Sequence, residues 1–213
     1  MKEELLRFKK DQKYIVFDFE TCNLNLVSLE NKPWQLAFNV YDSNKLIDSQ
    51  DYLIKWEDLK LSDGARRVTN FNQSRYNSKA VESSSVLSHF EKYIYDPSFL
   101  IIGHNLLGFD IYIHNIFRKL LGKRTDYSYL PRVLDTLCLA KACHKSIELS
   151  SNEDIFAWQM KLNSFYERGM RLNLGACCKR YDISLDSSKL HDAKYDIQKN
   201  YEVFQKIIWE LEI

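Results

Sequence analysis

The run Tyr14-Ile15-Val16-Phe17-Asp18-Phe19-Glu20 is apolar almost throughout and ends in two carboxylates two positions apart. Continuous apolar character leaves no polar side to face water, so the run reads as a strand buried on both faces. A strand of that kind needs layers above and below it, which restricts the fold to a sheet covered by helices. Side chains alternate along a strand, so Asp18 and Glu20 leave the same face. Lone charges at the end of a buried strand are costly. Bound cations remove that objection, and a solvated strand end is the plainer alternative.

Elsewhere the periodicity supports the same class. Trp34 to Tyr41 and Lys45 to Ile54 read as strands joined by the turn Asp42-Ser43-Asn44. Val86, Leu87, Phe90, Tyr93 and Ile94 share one face of a helix over 84–95. Phe99 to Gly103 is a short apolar strand, and an amphipathic helix is expected over 106–121, ended by Gly122. A strand at 133–135 leads into a helix to about Cys143, with a loop over 144–152 and a helix over 153–167. The last helices are expected at 174–180 and from His191 to Glu212. Three early strands followed by alternating strands and helices predict an α/β chain in one domain over 1–213. Its mixed central sheet has an antiparallel beginning, later parallel strands and flanking helices.

Two more carboxylates lie in short motifs. Asp110 follows Ile101-Ile102-Gly103-His104-Asn105 and Gly108-Phe109, near a helix start where capping would also suit it. Asp196 stands five residues after His191, and both fall with Asp192 within one and a half helical turns, so His191 and Asp196 can lean toward one site.

Together these motifs resemble the DEDD superfamily of 3′–5′ exonucleases in its histidine-containing, DnaQ-like branch, which includes proofreading subunits and RNA-trimming enzymes. The resemblance extends from Tyr14 through the last helix. It implies a ribonuclease-H-like fold and a two-metal hydrolysis supported by Mg²⁺ or Mn²⁺. Asp18 would bridge both ions, Glu20 and Asp196 would complete the first, and Asp110 would serve the second. His191 matches the general base that takes a proton from the attacking water, a task histidine performs near neutral pH. The tyrosine-containing branch is excluded, because Asp192 stands where its tyrosine would be.

Relatives continue the first motif with Thr-Thr-Gly-Leu, whereas this chain reads Thr21-Cys22-Asn23-Leu24. Asn23 at the glycine position is expected to take the left-handed backbone. The resemblance makes Thr21, Leu24 and Asn105 substrate-binding positions, Leu24 packing on the terminal base. A turn-stabilising role fits Asn105 equally well. Asp135 reads as a helix cap, not a fifth ligand. The expected substrate is the 3′ end of single-stranded DNA in a proofreading or DNA-processing role, with a polymerase as a possible partner. RNA trimming is the alternative, and a non-catalytic nucleic-acid-binding relative is the competitor from another class.

The composition bounds these readings. With a formal net charge of +1, the chain has no global attraction to a polyanion, so binding must be local or cation-assisted. Five cysteines without disulfide-framework spacing suit a reducing, cytoplasmic setting, and no apolar stretch is long enough for a membrane span. Cys138, Cys143, Cys177 and Cys178 read as buried thiols, since the adjacent pair gives no zinc spacing. Gln35-Leu36-Ala37-Phe38 faintly resembles a sliding-clamp peptide but sits in a core strand. Arg66, Arg67, Arg75 and Lys79 interleave with Phe71 and Tyr76 in an expected loop, either a strand-binding segment or a solvated one. The stretch 144–169 reads as a family-variable insertion, with Ile155, Trp158, Leu162 and Tyr166 at near-helical spacing.

Overall fold

A computed structural model describes residues 5–69 and 71–213. Its first three strands, β1 (Lys13–Thr21), β2 (Pro33–Asp42) and β3 (Lys45–Lys55), form an antiparallel ladder. Ser43 (φ 50°) and Asn44 (φ 62°) join β2 to β3, the two left-handed residues of a type I′ hairpin turn. Then follow α1 (Asp63–Val68), α2 (Gln73–Lys79), the two-residue β4 (Val81–Glu82), α3 (Ser83–Ile94), β5 (Phe99–Gly103) and α4 (Asp110–Leu120). The remainder is β6 (Val133–Asp135), α5 (Thr136–Lys145), α6 (Ile155–Ser164), α7 (Leu174–Arg180) and α8 (Ala193–Glu210). The sheet runs β4-β3-β2-β1-β5-β6, with β5 parallel to β1 and β6 parallel to β5.

The apolar run of β1 is buried on both faces, as its composition requires. Phe17 and Phe19 face one layer, where they meet Phe90 of α3 at 4.9 and 5.8 Å between ring centroids. Tyr14 faces the other, edge-on to Phe204 of α8 at 5.5 Å, while Tyr41 stacks on Tyr201 at 3.9 Å. Each fully buried large apolar side chain contributes roughly 1.5–3 kcal/mol. Strand alternation therefore sends Asp18 and Glu20 to the α8 face. The Gln35–Phe38 stretch lies wholly inside β2, each residue 2% exposed or less. All five cysteines are buried free thiols.

Four local expectations are corrected. The helix expected over 106–121 breaks into a 3-10 turn at Leu106–Gly108 and α4, with Phe109 at φ −143° and ψ −70° between them. The carboxylate of Asp135 holds that turn, accepting N–H bonds from Asn105 at 2.8 Å and Leu107 at 2.9 Å. The last helix begins at Ala193, because Asp192 caps it by accepting from the N–H groups of Lys194 and Tyr195. His191 is left outside with φ 64°. The basic-aromatic segment is two short helices, capped by Ser62 and Asn72, whose Tyr76 and Ala65 pack with Trp34 and Leu53 in a small second core. In the 144–169 stretch α5 runs on to Lys145 and the expected helix is shortened to 155–164: Trp158 and Leu162 are buried, whereas Tyr166 lies beyond the helix and is 83% exposed.

Gly103 ends β5 against the Leu106 side chain, which an added Cβ would strike. Gly103→Ala is expected to destabilise the protein by about 1–3 kcal/mol through overpacking. A thermal melt reads this as a fall of several degrees, and an unchanged melting temperature would show that Leu106 can move aside.

Candidate active site

Four carboxylates from three elements converge on the α8 side of β1. Asp18 and Glu20 come from its C-terminal half, Asp110 from the first turn of α4 and Asp196 from the first turn of α8. Asp110 is 2% exposed, and its Oδ1 accepts the Phe19 N–H at 3.1 Å. The pairing of β1 with β5 ends at Val16, so Asp110 takes a strand N–H beyond the reach of β5. Asp196 Oδ2 accepts the main-chain N–H of His191 at 3.0 Å.

Burial raises all four, and repulsion within the cluster raises Asp18, Glu20 and Asp110 further. The Asp18 carboxyl is pushed up to about 8, first by burial and then by the charge of Asp196. Burial, then Asp18, Asp196, Asp110 and Asp192, pushes Glu20 up to about 9. Asp110 is held well above the usual carboxylate range by burial and by Asp18. Asp196 rises to about 6 through burial, partly countered by the His191 N–H and imidazole. Four mutually repelling carboxylates at one place raise the question of a compensating cation.

The donor set fits one. Carboxylate oxygens are what hard divalent ions select, and Asp196 Oδ1 is buried with no hydrogen-bond partner. Among the described residues no three His, Cys, Asp or Glu side chains are gathered closely enough to hold an ion as they stand. Binding would therefore have to draw the carboxylates inward by side-chain rotation.

The shifts give a pH dependence whose sign is fixed. Asp18 and Glu20 hold protons in the folded protein up to about pH 8 and 9, but lose them near pH 4 when unfolded. Between those limits the folded state binds more protons, so the stability of the metal-free protein falls as pH rises. We expect melting temperatures in EDTA to drop from pH 5 to pH 9, and Mg²⁺ or Mn²⁺ to restore them at pH 8. A flat profile in EDTA would show that the Asp18 and Glu20 carboxyls are not raised as described.

The remaining sequence-predicted residues surround this cluster. His191 is exposed and reaches Asp196 through its main chain. Thr21 is 6% exposed and its Oγ1 donates to the Asn23 carbonyl at 2.7 Å, fastening the loop after β1. Leu24 on that loop is 82% exposed. Asn105 takes the left-handed backbone at φ 68° and sets its side chain against Gly108, the turn-stabilising arrangement. Asn23 does not have positive φ, correcting that expectation. Instead it accepts the Asn25 N–H at 2.8 Å and donates its own to Asn31 Oδ1 at 3.0 Å.

Sequence reasoning missed two buried groups. Asn31 is fully buried and ties the loop together, bonding to Asn23 and Asn25. Gln159 of α6 accepts the Asp135 N–H at 2.7 Å and donates to the Val133 carbonyl at 2.9 Å. No sequence signal marks Asn31, whereas a glutamine between Trp158 and Leu162 on an apolar helix was a visible anomaly.

A mixed sheet flanked by helices, with four carboxylates meeting beside its central strand, is the frame of a ribonuclease-H-like nuclease. A family model described as exonuclease matches residues 15–204, and the chain belongs to that family, within the DEDD superfamily of 3′–5′ exonucleases. The PolC-type DNA polymerase III of Ureaplasma parvum serovar 3 is 24% identical over 194 residues, covering 90% of this chain and 11% of the polymerase. Escherichia coli exonuclease I in complex with a dA16 oligonucleotide superposes with a TM-score of 0.72 at 17% identity, covering 94% of this chain and 42% of that one. A zinc-bound exonuclease I–single-stranded DNA complex gives 0.71 at 16% identity, covering 95% and 41%. The chain thus spans a small part of the polymerase and less than half of exonuclease I, and the structural likeness speaks for the fold.

Proposed function

We propose that the chain is a metal-dependent 3′–5′ exonuclease that shortens single-stranded DNA and releases nucleoside 5′-monophosphates, in a proofreading or DNA-processing role. The observation that carries this reading is the convergence of Asp18, Glu20, Asp110 and Asp196, with a buried Asp196 oxygen left unpaired. DNA is favoured over RNA because the exonuclease I neighbours hold dA16 and dT13 oligonucleotides and the sequence relative is a DNA polymerase.

Asp18, Glu20 and Asp196 would hold one divalent ion, and Asp18 with Asp110 a second. When bound, such ions activate the attacking water and stabilise charge on the leaving oxygen. The protein's own contribution is arrangement. β1 fixes the spacing of Asp18 and Glu20, the Phe19 N–H orients Asp110, and the His191 N–H orients Asp196. The exposed imidazole of His191 can accept the proton of the attacking water at a ring nitrogen. Leu24, exposed on a loop tied by Asn31, offers an apolar surface to the terminal base.

The test uses 5′-labelled single-stranded DNA and RNA of one sequence, with Mg²⁺, Mn²⁺ or EDTA. The expected result is a metal-dependent ladder shortening from the 3′ end, faster on DNA. Faster shortening of RNA would reassign the enzyme to RNA trimming. Binding without turnover in any metal would refute the catalytic reading.

A further inference from the structure

The basic helix α2 has no role in the chemistry above, yet it and the preceding Phe71 are fixed firmly to the sheet. The Tyr76 hydroxyl donates to the Ile54 carbonyl at 2.8 Å and accepts the Trp56 N–H at 2.9 Å. Phe71 packs edge-on against Trp34 at 5.0 Å. These contacts bring Arg75 to β3, where its Nη2 lies 2.8 Å from Asp51 Oδ2. Asp51 in turn accepts a bond at Oδ1 from Gln35 Nε2 at 2.6 Å.

Gln35 is 2% exposed and stands directly opposite Glu20 in the β1–β2 register, the last pair before the ladder shifts at Thr21. Asp51 stands opposite Ala37, which is itself opposite Asp18. Side chains of directly opposite residues share a face, with Cβ atoms ~4.5–5.5 Å apart. Asp18, Glu20, Gln35, Ala37 and Asp51 therefore rise from one surface. The small Ala37 leaves room for the diagonal bond from Gln35 to Asp51. One N–H of the Gln35 amide serves Asp51; among the described residues the other has no hydrogen-bond acceptor, and Glu20 is its cross-strand neighbour.

We propose that Gln35, Asp51 and Arg75 form a positioning relay for Glu20, in which Arg75 holds Asp51, Asp51 holds the Gln35 amide, and the amide fixes the Glu20 carboxylate for a divalent ion. The relay rests on the reading of Glu20 as a metal ligand. Glu20 is the carboxylate most in need of such support, since Asp18, Asp196, Asp110 and Asp192 all repel it. The Arg75–Asp51 pair has side chains 40% and 24% exposed, so it adds little to stability and acts by orientation. Arg75 is thereby a positioning residue and not a contact to the nucleic-acid strand.

The experiment measures Mn²⁺ binding by calorimetry, kcat and KM on single-stranded DNA, and melting temperature. It compares the wild type with Gln35→Ala, Arg75→Ala and Arg75→Lys. Support for a metal ligand of this kind is worth ~10–100-fold in affinity or activity. Gln35→Ala is expected to lose that much in both Mn²⁺ affinity and kcat, with KM little changed. Arg75→Ala should lose less in the same direction, and Arg75→Lys, which keeps a cation beside Asp51, should recover it. Arg75 is half-exposed, so its variants decide the matter even if Gln35→Ala does not fold.

Unchanged Mn²⁺ affinity and kcat in Gln35→Ala would reduce Gln35 to a packed core amide and overturn the relay. A raised KM alone in Arg75→Ala would make Arg75 a strand contact and overturn it as well. A wild type that binds Mn²⁺ but cuts nothing would refute the exonuclease reading, while calorimetry on the variants still judges the relay. A wild type that binds no Mn²⁺ would refute both.

Discussion

Asp18→Ala is expected to abolish turnover, with activity on single-stranded DNA in Mg²⁺ falling by at least about 10³-fold. Asp18 is the hub of the cluster. It repels Glu20 and Asp110 and is itself repelled by Asp196, so it stands within electrostatic reach of all three. Its removal takes away the ligand that both ions would share. Stability should move the other way. In EDTA at pH 8 the variant loses a half-buried, repelled carboxylate, and its melting temperature should equal or exceed that of the wild type. Mn²⁺ should no longer raise that temperature. An inactive variant that melts far lower would point to misfolding, and an active one would remove Asp18 from the site.

His191→Ala should cost about 10²–10⁴-fold in kcat, the range for a positioned general base, while Mn²⁺ affinity stays within a few-fold. The two effects separate because the residue makes two different connections. Its imidazole is exposed and can serve the attacking water, whereas its hydrogen bond to Asp196 comes from the main-chain N–H, which alanine keeps. Calorimetry with Mn²⁺ and single-turnover cleavage on the same preparation check both halves. Near-wild-type turnover would remove the proton-transfer role. A matching loss of metal affinity would recast His191 as support for Asp196.

The parts of this molecule that were legible in the chain are those governed by local periodicity. β1 declared itself because burial on both faces requires uninterrupted apolar residues, and the turn at Ser43 and Asn44 because few residues accept positive φ at two successive positions. The four carboxylates were legible through their motifs. Their surroundings were not. The bond from the Phe19 N–H to Asp110 joins residues 91 apart, and only the assembled sheet brings them together. The helices α1 and α2 look like loop in the sequence because they are short and take their core partners, Trp34 and Leu53, from distant strands. The start of α8 is obscured for a different reason: the helical spacing of His191, Asp192 and Asp196 runs across Asp192, whose side chain caps the helix and leaves His191 outside it.

Asp135 has a consequence for how loss-of-function variants of this chain would be interpreted. It is fully buried and accepts N–H groups from Asn105, Leu107 and Leu137, so one carboxylate fixes both the turn leading to Asp110 and the start of α5. A genetic screen scored only by activity would class Asp135 with the chemistry, because releasing that turn would mislay Asp110. Scored also by resistance to proteolysis, the same screen would separate them: Asp18 variants would be dead but intact, and Asp135 variants dead because the scaffold has loosened.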